Sequence, residues 1–195
     1  MSMKQISFVL LVVAAAILTG CVVTSVHPFY TAKDLVFEPA LVGNWIKEGK
    51  DADGEVWKFE KGRESTYRFT LIESRKATVM EVHAFKLQGQ LFLDLFSLER
   101  DYQIIPAHFL LKVSQLTPVL RMAELNDEWL KKLLSKDPSA IQHTSVATGD
   151  QPDDRRTVLT TGTAELQKFI LQHLTTEDAW NDFELKREGT ASHTR

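Results

Sequence analysis

Cysteine is almost absent from this chain of 195 residues; it occurs once, at position 21. No disulfide can form within the chain, and a thiolate metal site, which takes several cysteines at fixed spacing, is excluded. An excess of positive charge is missing as well. Lys and Arg number 23 against 26 Asp and Glu, a net charge of −3, so there is no electrostatic footprint for nucleic acid and no such partner is expected. Catalytic signatures are missing too: the chain has no Gly-x-Ser-x-Gly elbow, no phosphate-binding loop and no dinucleotide fingerprint. The histidines His27, His83, His108, His143, His173 and His193 are too scattered to form a paired ligand motif. Asp51-Ala52-Asp53-Gly54 has the start of a calcium loop but not its remaining acids, and reads as a hairpin turn. The expectation is therefore of no catalytic residue, no metal, no cofactor and no enzyme.

Long apolar runs are also scarce. Ile6–Leu18 is apolar except for Ser7 and follows the single charge of Lys4. It is too short to span about 30 Å of hydrocarbon, which takes ~20 helical residues, and has the length and flanks of a signal-peptide core. Leu18-Thr19-Gly20-Cys21, at its end, resembles the lipobox of bacterial lipoproteins. That resemblance implies residues 1–20 as a signal peptide and Cys21 as the lipid attachment site, with an N-acyl diacylglycerol holding the protein to a membrane of the cell envelope. Val22 is not the Asp that resembles an inner-membrane retention signal, so in a Gram-negative cell the periplasmic side of the outer membrane is expected. Residues 21–40 are not a Ser/Gly-rich spacer and are expected to be a short tether that keeps the domain near the bilayer.

From residue 41 to about 190 the chain reads as one domain, mainly β with two helices. Strands are expected at Leu41–Lys47, Glu55–Glu60, Ser65–Glu73, Ala77–Leu87, Leu91–Phe96, His108–Leu116 and Val119–Ala123, with Gly-containing turns at Asp53-Gly54, Lys61-Gly62 and Gln88-Gly89. Tyr67, Phe69 and Leu71 alternate with Thr66, Arg68 and Thr70, the period of a half-buried strand. Leu91–Phe96 is apolar on both faces apart from Asp94, which implies cover on the outside as well as the inside. A helix is expected from the N-cap Asn126 to Asp137-Pro138, and a second from Thr163 to about Leu174 with the stripe Leu166, Phe169, Ile170, His173 and Leu174. Between them, Ala147–Arg156 reads as a polar loop and Thr157–Thr160 as a short strand; Asp182–Arg187 is the expected last strand.

Many short strands with tight turns and outer helices predict an antiparallel β-barrel or a strongly curved meander sheet with helices packed outside. Gly43-Asn44-Trp45, after Pro39-Ala40-Leu41-Val42, resembles the opening of a lipocalin-type barrel. The resemblance implies that Gly43 and Trp45 sit at the closed barrel end and that a late Arg, Arg187 or else Arg156, packs over the Trp. The stretch Ser25–Trp45 is also similar to the start of uncharacterised bacterial envelope lipoproteins.

Trp45, Trp57, Phe59, Tyr67, Phe69, Phe85, Phe92 and Phe96 serve either as filled core or as the lining of a cavity for a small hydrophobic ligand, since an interior of about eight strands can do either. Asp94 and Glu81 are the acids expected to be partly buried, and one such acid could fix a ligand's head group. The expected function is a non-enzymatic, membrane-anchored envelope lipoprotein that binds a small apolar ligand. The alternative is a structural or interaction lipoprotein with a filled core and another envelope protein as its partner.

Overall fold

Seven strands follow one another as antiparallel neighbours: β2 (Gly43–Ile46), β3 (Val56–Lys61), β4 (Thr66–Glu73), β5 (Lys76–Leu87), β6 (Gln90–Ser97), β7 (His108–Gln115) and β8 (Val119–Leu125). The chain then leaves the sheet through α1 (Asp127–Lys136), β9 (His143–Ala147), β10 (Arg155–Leu159) and α2 (Thr163–Gln172). It returns as β11 (Trp180–Arg187), which pairs with β8 on one side and β2 on the other, closing an antiparallel barrel of eight strands. The computed structural model describes residues 23–47, 54–97, 107–147 and 155–189. Cys21 and residues 1–20 lie outside the described residues, as do Asp51–Asp53 and Asp153-Asp154.

The mainly β barrel with outer helices read from the sequence is the observed fold. Its strands form where apolar residues alternate, because successive side chains point to opposite faces of a sheet. Along β4, Tyr67, Phe69 and Leu71 face the barrel interior, and Arg68 and Ile72 are exposed. Turn chemistry differs in detail from the expectation. At Gln88-Gly89 both residues have positive φ, as a two-residue hairpin of type I′ requires. In the β3–β4 turn the positive φ falls on Glu64 and not on Gly62, and the β4–β5 turn puts Ser74 and Arg75 in that region with no glycine.

There are two cores, separated by the barrel wall. Inside lie Leu41, Trp45, Phe59, Tyr67, Phe69, Val82, Leu93, Leu111, Met122 and Leu185. Outside, Phe85, Leu87, Phe92, Leu110, Ala123 and Leu125 on β5 to β8 meet Leu130 and Leu134 of α1, Leu166, Phe169 and Ile170 of α2, and Trp180. The expected two-sided cover of β6 is thus provided by the excursion between β8 and β11. Asn126 caps α1, its Oδ1 accepting from the N–H groups of Glu128 at 3.0 Å and Trp129 at 3.2 Å.

Three segments depart from the sequence reading. The tether expected over residues 21–40 is part of the domain from Val23 onward. β1 (Thr24–Ser25) pairs antiparallel with β7 and parallel with β10, and Val23, Thr24, Ser25 and Phe29 are buried. Two residues are too few for an alternation to register, so this strand carries no periodic signal. The polar loop expected over Ala147–Arg156 is shorter, because Ala147 ends β9 and Arg155 begins β10. β9 itself, His143-Thr144-Ser145-Val146-Ala147, has no apolar face that could announce it.

The barrel closes at one end on Trp45. Its indole Nε1–H donates to the Leu41 carbonyl at 2.8 Å, and the Arg187 guanidinium lies 4.4 Å from its ring centroid. Arg187 also donates from Nη1 to the Val42 carbonyl at 2.9 Å and from Nη2 to the Ala40 carbonyl at 2.7 Å, so it ties β11 to the 3-10 turn Pro39–Leu41 and to the residue before β2. Arg156 lies on β10, outside the barrel. Gly43 has φ +140°, and a Cβ there would stand 2.4 Å from Nη1 of Arg187, which its two carbonyl bonds hold in place. Arg187→Ala is expected to lower stability by about 3 kcal/mol and Arg187→Lys by less, since Lys keeps the charge and loses the planar fork. Gly43→Ala is expected to cost about 2 kcal/mol through backbone strain and the clash. Urea denaturation of the three variants measures these losses; equal stability of Arg187→Ala and the parent would show that the Arg187 clamp contributes nothing to stability.

Candidate functional site

Among the described residues, the far end of the barrel, where β2, β4, β6 and β8 finish and β3, β5, β7 and β11 begin, is open. A cavity of about 260 Å³ enters it. Trp57, Phe69, Phe109 and Phe183 supply its rings, and Leu71, Met80, Leu95 and Leu111 its aliphatic wall. Trp57 stands between Phe69 and Phe183, with ring centroids 5.1 and 5.5 Å away, so the aromatic side is itself well supported. Lys47, Glu55, Glu73, Glu124, Asn181 and Asp182 complete the lining. The Trp57 indole N–H donates to a Glu55 carboxylate oxygen. Burial pushes the Glu124 carboxyl above its ordinary range, opposed by a 3.4 Å hydrogen bond from Asn181 and by the charge of Lys47.

The aromatic residues singled out in the sequence divide into three places. Trp57 and Phe69 line the cavity. Trp45, Phe59 and Tyr67 are fully buried in the barrel core; Tyr67 stacks on Phe37 at 4.9 Å and its hydroxyl accepts from the Glu38 N–H at 2.6 Å. Phe85 and Phe92 belong to neither the pocket nor the barrel interior. They stack on each other at 5.4 Å in the outer core, because they occupy the outward phase of β5 and β6. Phe109 and Phe183 were not anticipated as lining residues, although Phe183, Leu185 and Arg187 share one strand phase that points inward.

Asp94 also points outward, so it is not a head-group anchor for anything in the cavity. It is completely buried. Its Oδ2 accepts from the Phe29 N–H at 2.9 Å and its Oδ1 lies 2.7 Å from Nδ1 of His108, which satisfies the carboxyl group and pins the N-terminal segment to the wall. Beside it, Tyr30 stacks on His83 with centroids 4.5 Å apart. Burial, with Asp94 and Glu81 adding to it, pushes the Tyr30 hydroxyl up to about 12. Glu81, 3.6 Å from Nε2 of His83, is exposed enough to stay solvated. Among the described residues no group of three or more His, Cys, Asp or Glu is placed to hold a metal ion, and no helix is long and apolar enough to cross a membrane.

Burial holds the His83 ring below the ordinary histidine value of 6.5, with Glu81 and Asp94 opposing and His108 assisting; burial does the same to His173. A ring whose folded value is depressed takes its proton more readily in the unfolded chain. The stability tied to these rings is therefore fully present above pH ~6.5 and is lost as pH falls through their folded values. Urea midpoints measured from pH 7.5 to 5 are expected to fall with acidification, and His83→Phe, which keeps the stack on Tyr30, is expected to flatten that slope. An unchanged slope in His83→Phe would contradict this role.

No family model, curated protein or solved structure matches the chain.

Proposed function

We propose that this protein is an exported, non-enzymatic envelope lipoprotein, acylated on Cys21, whose barrel binds a small apolar molecule in its open end. The observation that carries the ligand reading is the unequal filling of one barrel. The closed half is packed around Trp45, Phe59 and Tyr67, whereas the open half keeps an aromatic-lined cavity of about 260 Å³. An apolar cavity of about 150 Å³ holds benzene, so this one takes a body of roughly two fused rings or a short branched chain. It is somewhat smaller than most small-molecule pockets, which argues for a compact ligand and against a full-length fatty acid.

The anchoring reading rests on Ile6–Leu18 and Leu18-Thr19-Gly20-Cys21. The buried position of Val23 adds a spatial consequence. Consecutive Cα atoms are 3.8 Å apart, so the Cα of Cys21 is within about 7.6 Å of that of Val23, and an acyl group there leaves the domain without a spacer. The barrel then rests against the lipid surface, and two or more acyl chains make the attachment stable. The outer membrane facing the periplasm is the proposed site in a Gram-negative cell.

A second reading, an interaction lipoprotein without a ligand, is favoured by β9. Its only strand partner among the described residues is β10, and Val146 on it is exposed, which leaves an edge open to another envelope protein.

Two measurements test the proposal. Cells fed a palmitate analogue are expected to label the parent chain and not Cys21→Ser; equal labelling of both would sink the anchor. The full-length chain in phosphatidylcholine nanodiscs, with empty nanodiscs subtracted, is expected to bind neutral 2-naphthylmethanol in a calorimetric titration. Leu71→Trp, which fills the mouth, is expected to weaken that binding about tenfold or more, a loss of ~1.4 kcal/mol, while Val146→Ser leaves it unchanged. Failure of the parent to bind, or equal binding by Leu71→Trp, would favour the filled-core alternative.

A further inference from the structure

The cavity's walls and its rim recognise the same kind of charge. Trp57, Phe69 and Phe183 line the cavity with aromatic rings, and the face of an aromatic ring is its electron-rich side, which attracts a cation at close range and most strongly where water is excluded. Among the described residues the rim repeats that preference with three carboxyl groups, Glu55, Glu73 and Glu124, against the single ammonium of Lys47. Asp182 also borders the cavity, but its side chain is in the outward phase of β11, opposite to that of Phe183.

The other charges nearby leave that balance standing. Lys47 interacts with Glu124. Lys76, opposite Glu73 in register, is exposed and does not line the cavity. Lys112 is attracted by Asp182, but its ammonium lies 4.4 Å over the ring of Trp180, on the outer side of the wall. Glu55 is oriented by the Trp57 indole N–H, which occupies one carboxylate oxygen and leaves the other for a ligand.

We infer that the molecule bound in the open end is an organic cation, an ammonium group joined to a compact apolar body, with the body among Trp57, Phe69 and Phe183 and the ammonium at the rim carboxylates. This rests on the apolar-ligand reading of the same cavity and narrows it. An anionic amphiphile such as a fatty acid would bring its carboxylate against those of the rim, and like charges at close range disfavour binding. A neutral body would bury the same apolar area without the ring-face and carboxylate attraction.

Three probes that share one naphthalene body separate the possibilities: 2-naphthylmethylammonium, 2-naphthylmethanol and 2-naphthoate. Each is titrated calorimetrically into the full-length chain in phosphatidylcholine nanodiscs, with empty nanodiscs subtracted. The ammonium is expected to bind about tenfold or more tighter than the alcohol, and the naphthoate most weakly. Raising salt from 0.05 to 0.5 M is expected to narrow the gap on the parent protein, because the rim is exposed to screening. Glu55→Gln combined with Glu73→Gln is expected to remove most of the gap between the ammonium and the alcohol. If the alcohol or the naphthoate binds as tightly as the ammonium, this inference is overturned and the apolar pocket stands. If none of the three binds, the pocket reading itself falls, and the salt series on the parent decides the charge preference even where the double variant does not fold.

Discussion

Among the described residues β11 pairs with β2 at Lys186 with Ile46 and Arg187 with Trp45. A backbone bond from the Glu188 N–H to the Asn44 carbonyl at 3.0 Å extends the join, and closure of the barrel depends on that short seam holding. Closure leaves the eight strands without a free edge, but so few ladder bonds are a weak join for a sheet whose ends arrive from distant parts of the chain. The Arg187 side chain supplies what the ladder lacks. One guanidinium bonds two carbonyls of the segment before β2 and covers the indole of Trp45, so strand, turn and plug are held by a single charged fork. Gly43 follows from this, since its missing Cβ is where Nη1 passes.

A closed, packed end allows the other end to stay open. Eight strands enclose an interior that side chains can just fill, and here they fill it unevenly. Large rings occupy the half near Arg187, and the rings at the opposite mouth line the cavity. The wall is kept rigid from outside as well. The excursion between β8 and β11 lays two helices over β5 to β8, and the N-terminal segment is inserted as β1 between β7 and β10, with the buried carboxyl of Asp94 holding Phe29. An unpaired buried carboxylate would be costly, so Asp94, His108 and the Phe29 N–H form an arrangement that fixes where the N-terminal segment lies. The segment that would carry the lipid is thus a structural member of the domain.

Much of this was legible in the chain. The strands from Gly43 to Leu125 announce themselves by alternation, α1 by Asn126 and its stop at Asp137-Pro138, and β6 by being apolar on both sides. Other parts were illegible for physical reasons. β1 is two residues long, and β9, at a sheet edge, has no buried residue and no apolar alternation. The same blindness affected the aromatic set. Phe85 and Phe92 have the composition of barrel core, but one step of strand phase sends them through the wall, and phase is decided by register and not by residue type. Phe109 and Phe183, in the opposite phase, reach the cavity instead.

By itself the sequence determined what depends on residue type and local period: one cysteine after a short apolar run, a mildly acidic chain, a meander of strands, and a Gly-x-Trp opening with an arginine to come. Only the tertiary structure decided which face each aromatic occupies, that Asp94 serves the N-terminal segment and not the cavity, and that three carboxyl groups, Glu55 just before β3, Glu73 on β4 and Glu124 on β8, gather at one mouth. Those acids lie up to 69 positions apart in the chain, and no local pattern links them. Barrel closure brings them together, because it fixes the register of every strand against every other.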